Sequence, residues 1–118
     1  MEHPMYPEPS IELHRQRKEL APAAAAAFKA FSDSVFADGA LSAKTKQLIA
    51  VAVAHVTQCP YCIRGHTAGA LRDGATQQEV MEAIWVAAEM RAGAAYAHSN
   101  LALDTMNRLT ADRGSRQT

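Results

Sequence analysis

The chain has two cysteines, few aromatic residues, no net charge and no long apolar run, and each shortage removes a class of protein. Two cysteines are too few for an extracellular fold stapled by disulfides, which shows more of them at wider spacing. Aromatic residues make up 6% of the chain while hydrophobic residues make up 48%, much of it alanine. That balance suits small side chains on close-packed helices. Lys plus Arg and Asp plus Glu stand at 12 each, which leaves no electrostatic case for nucleic acid or an anionic membrane as partner. The longest apolar stretch, Leu48 to Val56, is too short to cross a bilayer. The opening segment, from Met1 to Pro7, lacks the basic region and apolar run of a signal peptide, so a cytoplasmic location is expected.

No segment alternates in the manner of a strand and no repeat is visible, so the expected fold is all-α: one domain over residues 1–118, a bundle of about six helices. Residues 1–9, with three prolines, read as an extended arm. Ser10 is placed to cap a first helix to Leu20, and Pro22 suits the first position of a second. Phe28, Phe31 and Val35 are expected to form its buried stripe, with Asp38-Gly39 as its end. Ser42 caps a third helix to about Gln58, apolar around most of its circumference and therefore central. A fourth runs from Pro60 to Asp73 and stops at Gly74. Thr76 and Glu79 form a capping box for a fifth, with Val80, Met81, Ile84, Trp85 and Ala88 at helical spacing. Gly93 is expected to bend or break the chain before a sixth helix, Ala94 to about Leu109, and a frayed polar tail over 110–118.

The chemistry is concentrated in Cys59-Pro-Tyr-Cys62-Ile-Arg-Gly-His66. Two thiols three residues apart at a helix start, with an imidazole four residues on, are the parts of a redox-active dithiol. The thiolate is the reactive form, and a helix N-terminus or nearby imidazolium favours it. Residues four apart share a helix face, so His66 can reach Cys62. A bridge across so short a loop adds little stability, which favours a cycling role over a structural one. His55, Cys59, Cys62 and His66 are also zinc-ligand types. They lie within twelve residues on two consecutive helices, whereas structural zinc draws ligand pairs from separate elements. No metal and no cofactor are therefore expected.

The segment Leu41 to Thr67, with Cys59-x-x-Cys62-x-x-x-His66 at its centre, resembles the carboxymuconolactone decarboxylase superfamily, in its alkylhydroperoxidase D-like (AhpD-like) branch. The continuation from Ala68 to Ile84 is similar as well, and the resemblance covers about 41–103. It implies an all-helical subunit assembled into homo-oligomers, commonly trimers or hexamers. The implied activity is reduction of hydroperoxides through the dithiol, with a thiol or lipoyl-type partner as electron source. It also implies catalytic roles for Cys59, Cys62 and His66. An alanine-rich, aromatic-poor chain of this size is marginal alone, which points to oligomers independently.

One position departs from the family pattern, and a second, before Cys62, is an ordinary variant. Where the family carries an acid, twelve residues before Cys59, this chain has Gln47, and before Cys62 it has Tyr61. An amide hydrogen-bonds but cannot take up a proton as a carboxylate does. Either Gln47 positions a water and His66 suffices, or another acid substitutes, with Glu89 the candidate. His55, one turn before Cys59, is a further supporting candidate. The expected cycle has Cys62, beside His66, attack the peroxide and Cys59 resolve the sulfenic acid as a disulfide. The reverse order stays open, because Cys59 sits nearer the helix-start N–H groups. The alternative function is a disulfide reductase or redox adaptor with weak peroxidase activity, with lactone decarboxylation well below it.

Overall fold

The computed structural model describes residues 5–117, with side chains described through residue 114. The first four residues of the expected arm and Thr118 lie outside the described residues. Five helices make up the described regular structure: α1 (Ile11–Leu20), α2 (Pro22–Phe36), α3 (Ala43–Thr57), α4 (Pro60–Arg72) and α5 (Gln77–Gln117).

Local chemistry sets most of their starts. Ser10 Oγ accepts the Leu13 N–H at 3.1 Å, and Ser42 Oγ accepts the Thr45 N–H at 3.1 Å. Pro22 opens α2, where its missing N–H removes no intrahelical bond. The Thr76 N–H reaches Glu79 Oε1 at 2.9 Å while the Glu79 N–H reaches Thr76 Oγ1 at 3.0 Å, a closed capping box. The same glutamate pairs with Lys44 Nζ at 2.8 Å, tying the start of α3 to the start of α5. Gly74, at φ 97°, takes the left-handed turn between α4 and α5 that a side chain would resist.

The sixth helix is not separate. A single helix of 41 residues runs through Gly93 and on through the stretch expected to fray. One glycine inside a helix costs about 1 kcal/mol, too little to break a segment flanked by alanine and other strong helix formers.

The core is small and sits where α3, α4 and α5 meet. Val51, Ala70, Ala75 and Val80 are buried there, with Leu48 and Ile84 packed against them. The α1–α2 hairpin packs on itself and meets the body along α3 and, through Phe36, at His66 of α4. The stripe expected to be buried on α2 is therefore open: Phe28 is 69% exposed and Phe31 62%, and Val35 is exposed too. Ile49, Val53 and Val56 on α3, and Met81, Trp85 and Ala88 on α5, are likewise exposed. Their spacing is helical, but the described residues supply no surface that buries them. The radius of gyration is 22.0 Å, against about 13–14 Å for a compact domain of this length.

Candidate functional site

The site is built where α3 hands over to α4. Gln58 ends α3 in the left-handed region, φ 58° and ψ 47°, with its N–H bonded to the Ala54 carbonyl. This turn brings Cys59 into an extended conformation as the N-cap of α4, with Pro60 at the first helical position. Cys59 does there what serine or aspartate does elsewhere: its Sγ accepts the backbone N–H of Cys62 at 3.2 Å. Both cysteines are free and half-buried.

The two thiols are not equivalent. The Cys62 thiol and then the Cys62 backbone N–H donate toward the Cys59 sulfur, holding Cys59 below the usual thiol range. Giving its hydrogen bond to Cys59 pushes Cys62 up, reinforced by burial and by the neighbouring negative charge. Cys59 is thus the more acidic thiol of the pair and Cys62 the less acidic one.

His66 lies one turn past Cys62 and is held on two sides. Gln47 Oε1 lies 2.8 Å from its Nδ1, and since an amide oxygen only accepts, Nδ1 carries the proton. The Phe36 ring stacks on the imidazole with centroids 5.0 Å apart and planes 22° apart. Among the described residues no hydrogen bond joins His66 to either sulfur. Gln47 is the one polar side chain of the described core, 7% exposed. It is a direct, uncharged partner of the histidine.

The space for Gln47 comes from Gly69. A Cβ at Gly69 would stand 2.8 Å from Gln47 Oε1, 2.9 Å from Cδ and 3.1 Å from Nε2. Neither Gly69 nor Phe36 was among the residues expected here. The signal for Gly69 was a glycine inside a helical segment, three residues past His66 on the same face. For Phe36 the pattern held none.

The other candidates stand apart. Glu89 is exposed, and among the described residues it has no hydrogen bond or ion pair with His66 or the thiols; a Cβ at Gly93 would stand 3.3 Å from its Oε1. His55 is half-buried and donates from Nδ1 to the Val51 carbonyl of its own helix at 2.7 Å. Tyr61 points away from the dithiol, its hydroxyl donating to the Pro7 carbonyl at 2.9 Å. Arg64 is exposed and pairs with Glu8 at 3.2 Å. Among the described residues no three His, Cys, Asp or Glu side chains converge as a metal site.

An all-helical body with a C-x-x-C-x-x-x-H site at a helix start defines the class, and sequence comparison agrees. The chain belongs to the carboxymuconolactone decarboxylase family, which residues 22–105 match. It is 70% identical over 83 residues to uncharacterized protein 4 in the cox locus of Paracoccus denitrificans, covering 70% of this chain and 75% of that one. Among solved structures, a protein from Methanobacterium thermoautotrophicum is 38% identical with a TM-score of 0.66, over 70% of this chain and 93% of its own. A carboxymuconolactone decarboxylase family protein from Legionella pneumophila is also 38% identical, with a TM-score of 0.62 over 67% of this chain and 70% of its own.

Proposed function

We propose that this protein is a thiol-dependent hydroperoxide reductase of the AhpD-like kind, cycling Cys59 and Cys62 between dithiol and disulfide. The observation that carries the reading is the capping contact, in which Cys59 Sγ accepts the Cys62 N–H at a helix start. That contact supports the order opposite to the one expected from His66, with Cys59 as the attacking thiol and Cys62 as the resolving one. The Cys59 thiolate attacks the terminal peroxide oxygen, the O–O bond breaks, and the alkoxide leaves as alcohol after taking a proton from Cys62 or solvent. The resulting sulfenic acid is attacked by Cys62, releasing water and forming the disulfide. A dithiol partner, thiol or lipoyl in type, reduces the bridge by exchange and is itself oxidised. His66 keeps Nε2 available toward the site while Gln47 fixes its tautomer.

The test is consumption of cumene hydroperoxide by reduced protein with excess dithiothreitol, beside Cys59→Ser and Cys62→Ser. Turnover in the parent that disappears in both variants is the expected result. Without turnover in the parent, the reading passes to a disulfide reductase or redox adaptor. The uncharged Gln47–His66 pair favours that second reading, because an amide stands against the histidine's Nδ1. Lactone decarboxylation ranks below both, since it leaves the dithiol without a task.

The working unit is a homo-oligomer, a trimer or hexamer, supported by the exposed aromatic stripe of α2 and by a core too small for the chain. Light scattering coupled to size exclusion tests this, and a monomer would overturn it. Among the described residues no helix is long and apolar enough to cross a membrane. A resting dithiol fits the reducing cytoplasm.

A further inference from the structure

The extended arm ahead of α1 returns across 54 residues of sequence to the outer face of α4, and three consecutive residues make three different contacts there. The Tyr6 ring meets the Tyr61 ring edge-on with centroids 5.9 Å apart. The Pro7 carbonyl accepts the Tyr61 hydroxyl at 2.9 Å, and the Glu8 carboxylate meets the Arg64 guanidinium at 3.2 Å. Tyr61 and Arg64 are three apart and share a face. Cys59, Cys62 and His66 occupy the next face, about 100° around the helix. A groove of about 580 Å³, walled by Pro7, Pro9, Leu13, Leu20 and Tyr61, continues from these contacts along α1.

Four features mark this as a recognition surface and not a brace. The groups engaged on the arm are a backbone carbonyl and a carboxylate, which any extended acidic segment presents. The ion pair is well exposed on both sides, 59% and 79% for the two side chains, and pairs of that kind exchange readily. Pro7 and Pro9 hold the arm extended beforehand, so docking costs little chain entropy. Tyr61, the chain neighbour of Cys62, and Arg64 are exposed, whereas Gly69 and Ala70 of the same helix are buried. A segment docked on Tyr61 and Arg64 holds its own thiol close to the Cys59–Cys62 bridge.

We propose that the Tyr61–Arg64 face of α4 is the docking site for an extended acidic segment of the protein thiol that reduces the Cys59–Cys62 bridge. Residues 6–8 of this chain occupy it in cis until displaced. The inference rests on the cycling dithiol proposed above and names the chemistry of its reductant. In each exchange two partner thiols are oxidised to one disulfide while the Cys59–Cys62 disulfide becomes two thiols.

The test uses the oxidised full chain and two thiol peptides. One is acetyl-Tyr-Pro-Glu-Pro-Ser-Cys-amide and the other carries lysine in place of its glutamate, with dithiothreitol as the uncharged control. The acidic peptide should reduce the bridge about three- to fivefold faster than the lysine peptide, the range an exposed ion pair supports. Glu8→Arg, which releases the arm, should raise the acidic peptide's rate further, and Arg64→Glu should reverse the order of the two peptides. Dithiothreitol should act equally on all three proteins. Equal rates for the two peptides on the parent and on Arg64→Glu would overturn the proposal. So would dithiothreitol rates that follow the same changes, since these would mean a loosened helix instead of docking. No peroxide enters this assay, so its failure and a failure of peroxide turnover are separate results.

Discussion

Replacing Gly69 by alanine should reveal how the histidine is held. Alanine is the better helix former, and the exchange inside a helix is ordinarily worth about 0.5–1 kcal/mol of stability. Here the new methyl would come within 2.8–3.1 Å of all three terminal atoms of the Gln47 amide. That amide is buried and cannot swing into solvent. Overpacking of this kind costs about 1–3 kcal/mol, and displacing Gln47 Oε1 from His66 adds about 1–3 kcal/mol for a buried polar group left unpaired. The net expectation is a loss of about 1–5 kcal/mol, against a gain for a glycine without neighbours. Gly65, four residues earlier in the same helix, is that control, with nothing within 4 Å of its would-be Cβ. Urea unfolding at fixed protein concentration should show Gly65→Ala neutral or stabilising and Gly69→Ala destabilising. Adding Gln47→Ala should remove most of the difference, because the methyl then has room. Should Gly69→Ala stabilise as much as Gly65→Ala, the close approach would not govern the site.

Three further outcomes follow from the same geometry. With Cys62→Ser, the remaining Cys59 should alkylate with iodoacetamide at lower pH than Cys62 does in Cys59→Ser, since the Cys62 N–H still caps its sulfur; coincident pH profiles would reverse the assignment of roles. Glu89→Gln should leave peroxide turnover unchanged and stability within about 0.5 kcal/mol, and a strong loss of turnover would return Glu89 to the mechanism. The Glu79 carboxyl is held below its ordinary value of 4.5, first by its hydrogen bond with Lys44. A depressed acid contributes stability above its unfolded pKa that is lost as pH falls through its folded one. The parent should therefore exceed Lys44→Met in stability at neutral pH and converge with it below about pH 4.5; curves that stay parallel in acid would count against the contact.

What the sequence revealed was mostly local. Ser10, Pro22, Ser42 and the Thr76–Glu79 box act within a turn of themselves, and the helices begin where those residues put them. The dithiol at a helix start was legible for the same reason. Burial was not. Phe28 and Phe31 repeat at helical spacing, but spacing only says that a face exists; whether the chain covers it depends on α2's distance from the body. Gly93 misled because a breaker's small penalty was weighed without the long alanine-rich context around it. The Gln47–His66 pair joins two helices across 19 residues of chain. Its partner space at Gly69 depends on how closely those helices approach, which no short window of sequence encodes.

In the proposed cycle the capping atom of α4 is itself the sulfur that changes oxidation state, so the helix start is a reporter as well as a scaffold. A thiolate is a strong acceptor for the Cys62 N–H, while a disulfide sulfur is a poor one. Oxidation should therefore weaken the hydrogen bond that seals the first turn. Amide exchange at Cys62 should quicken when the bridge closes and slow when it opens. The redox history of the protein is written at one backbone proton.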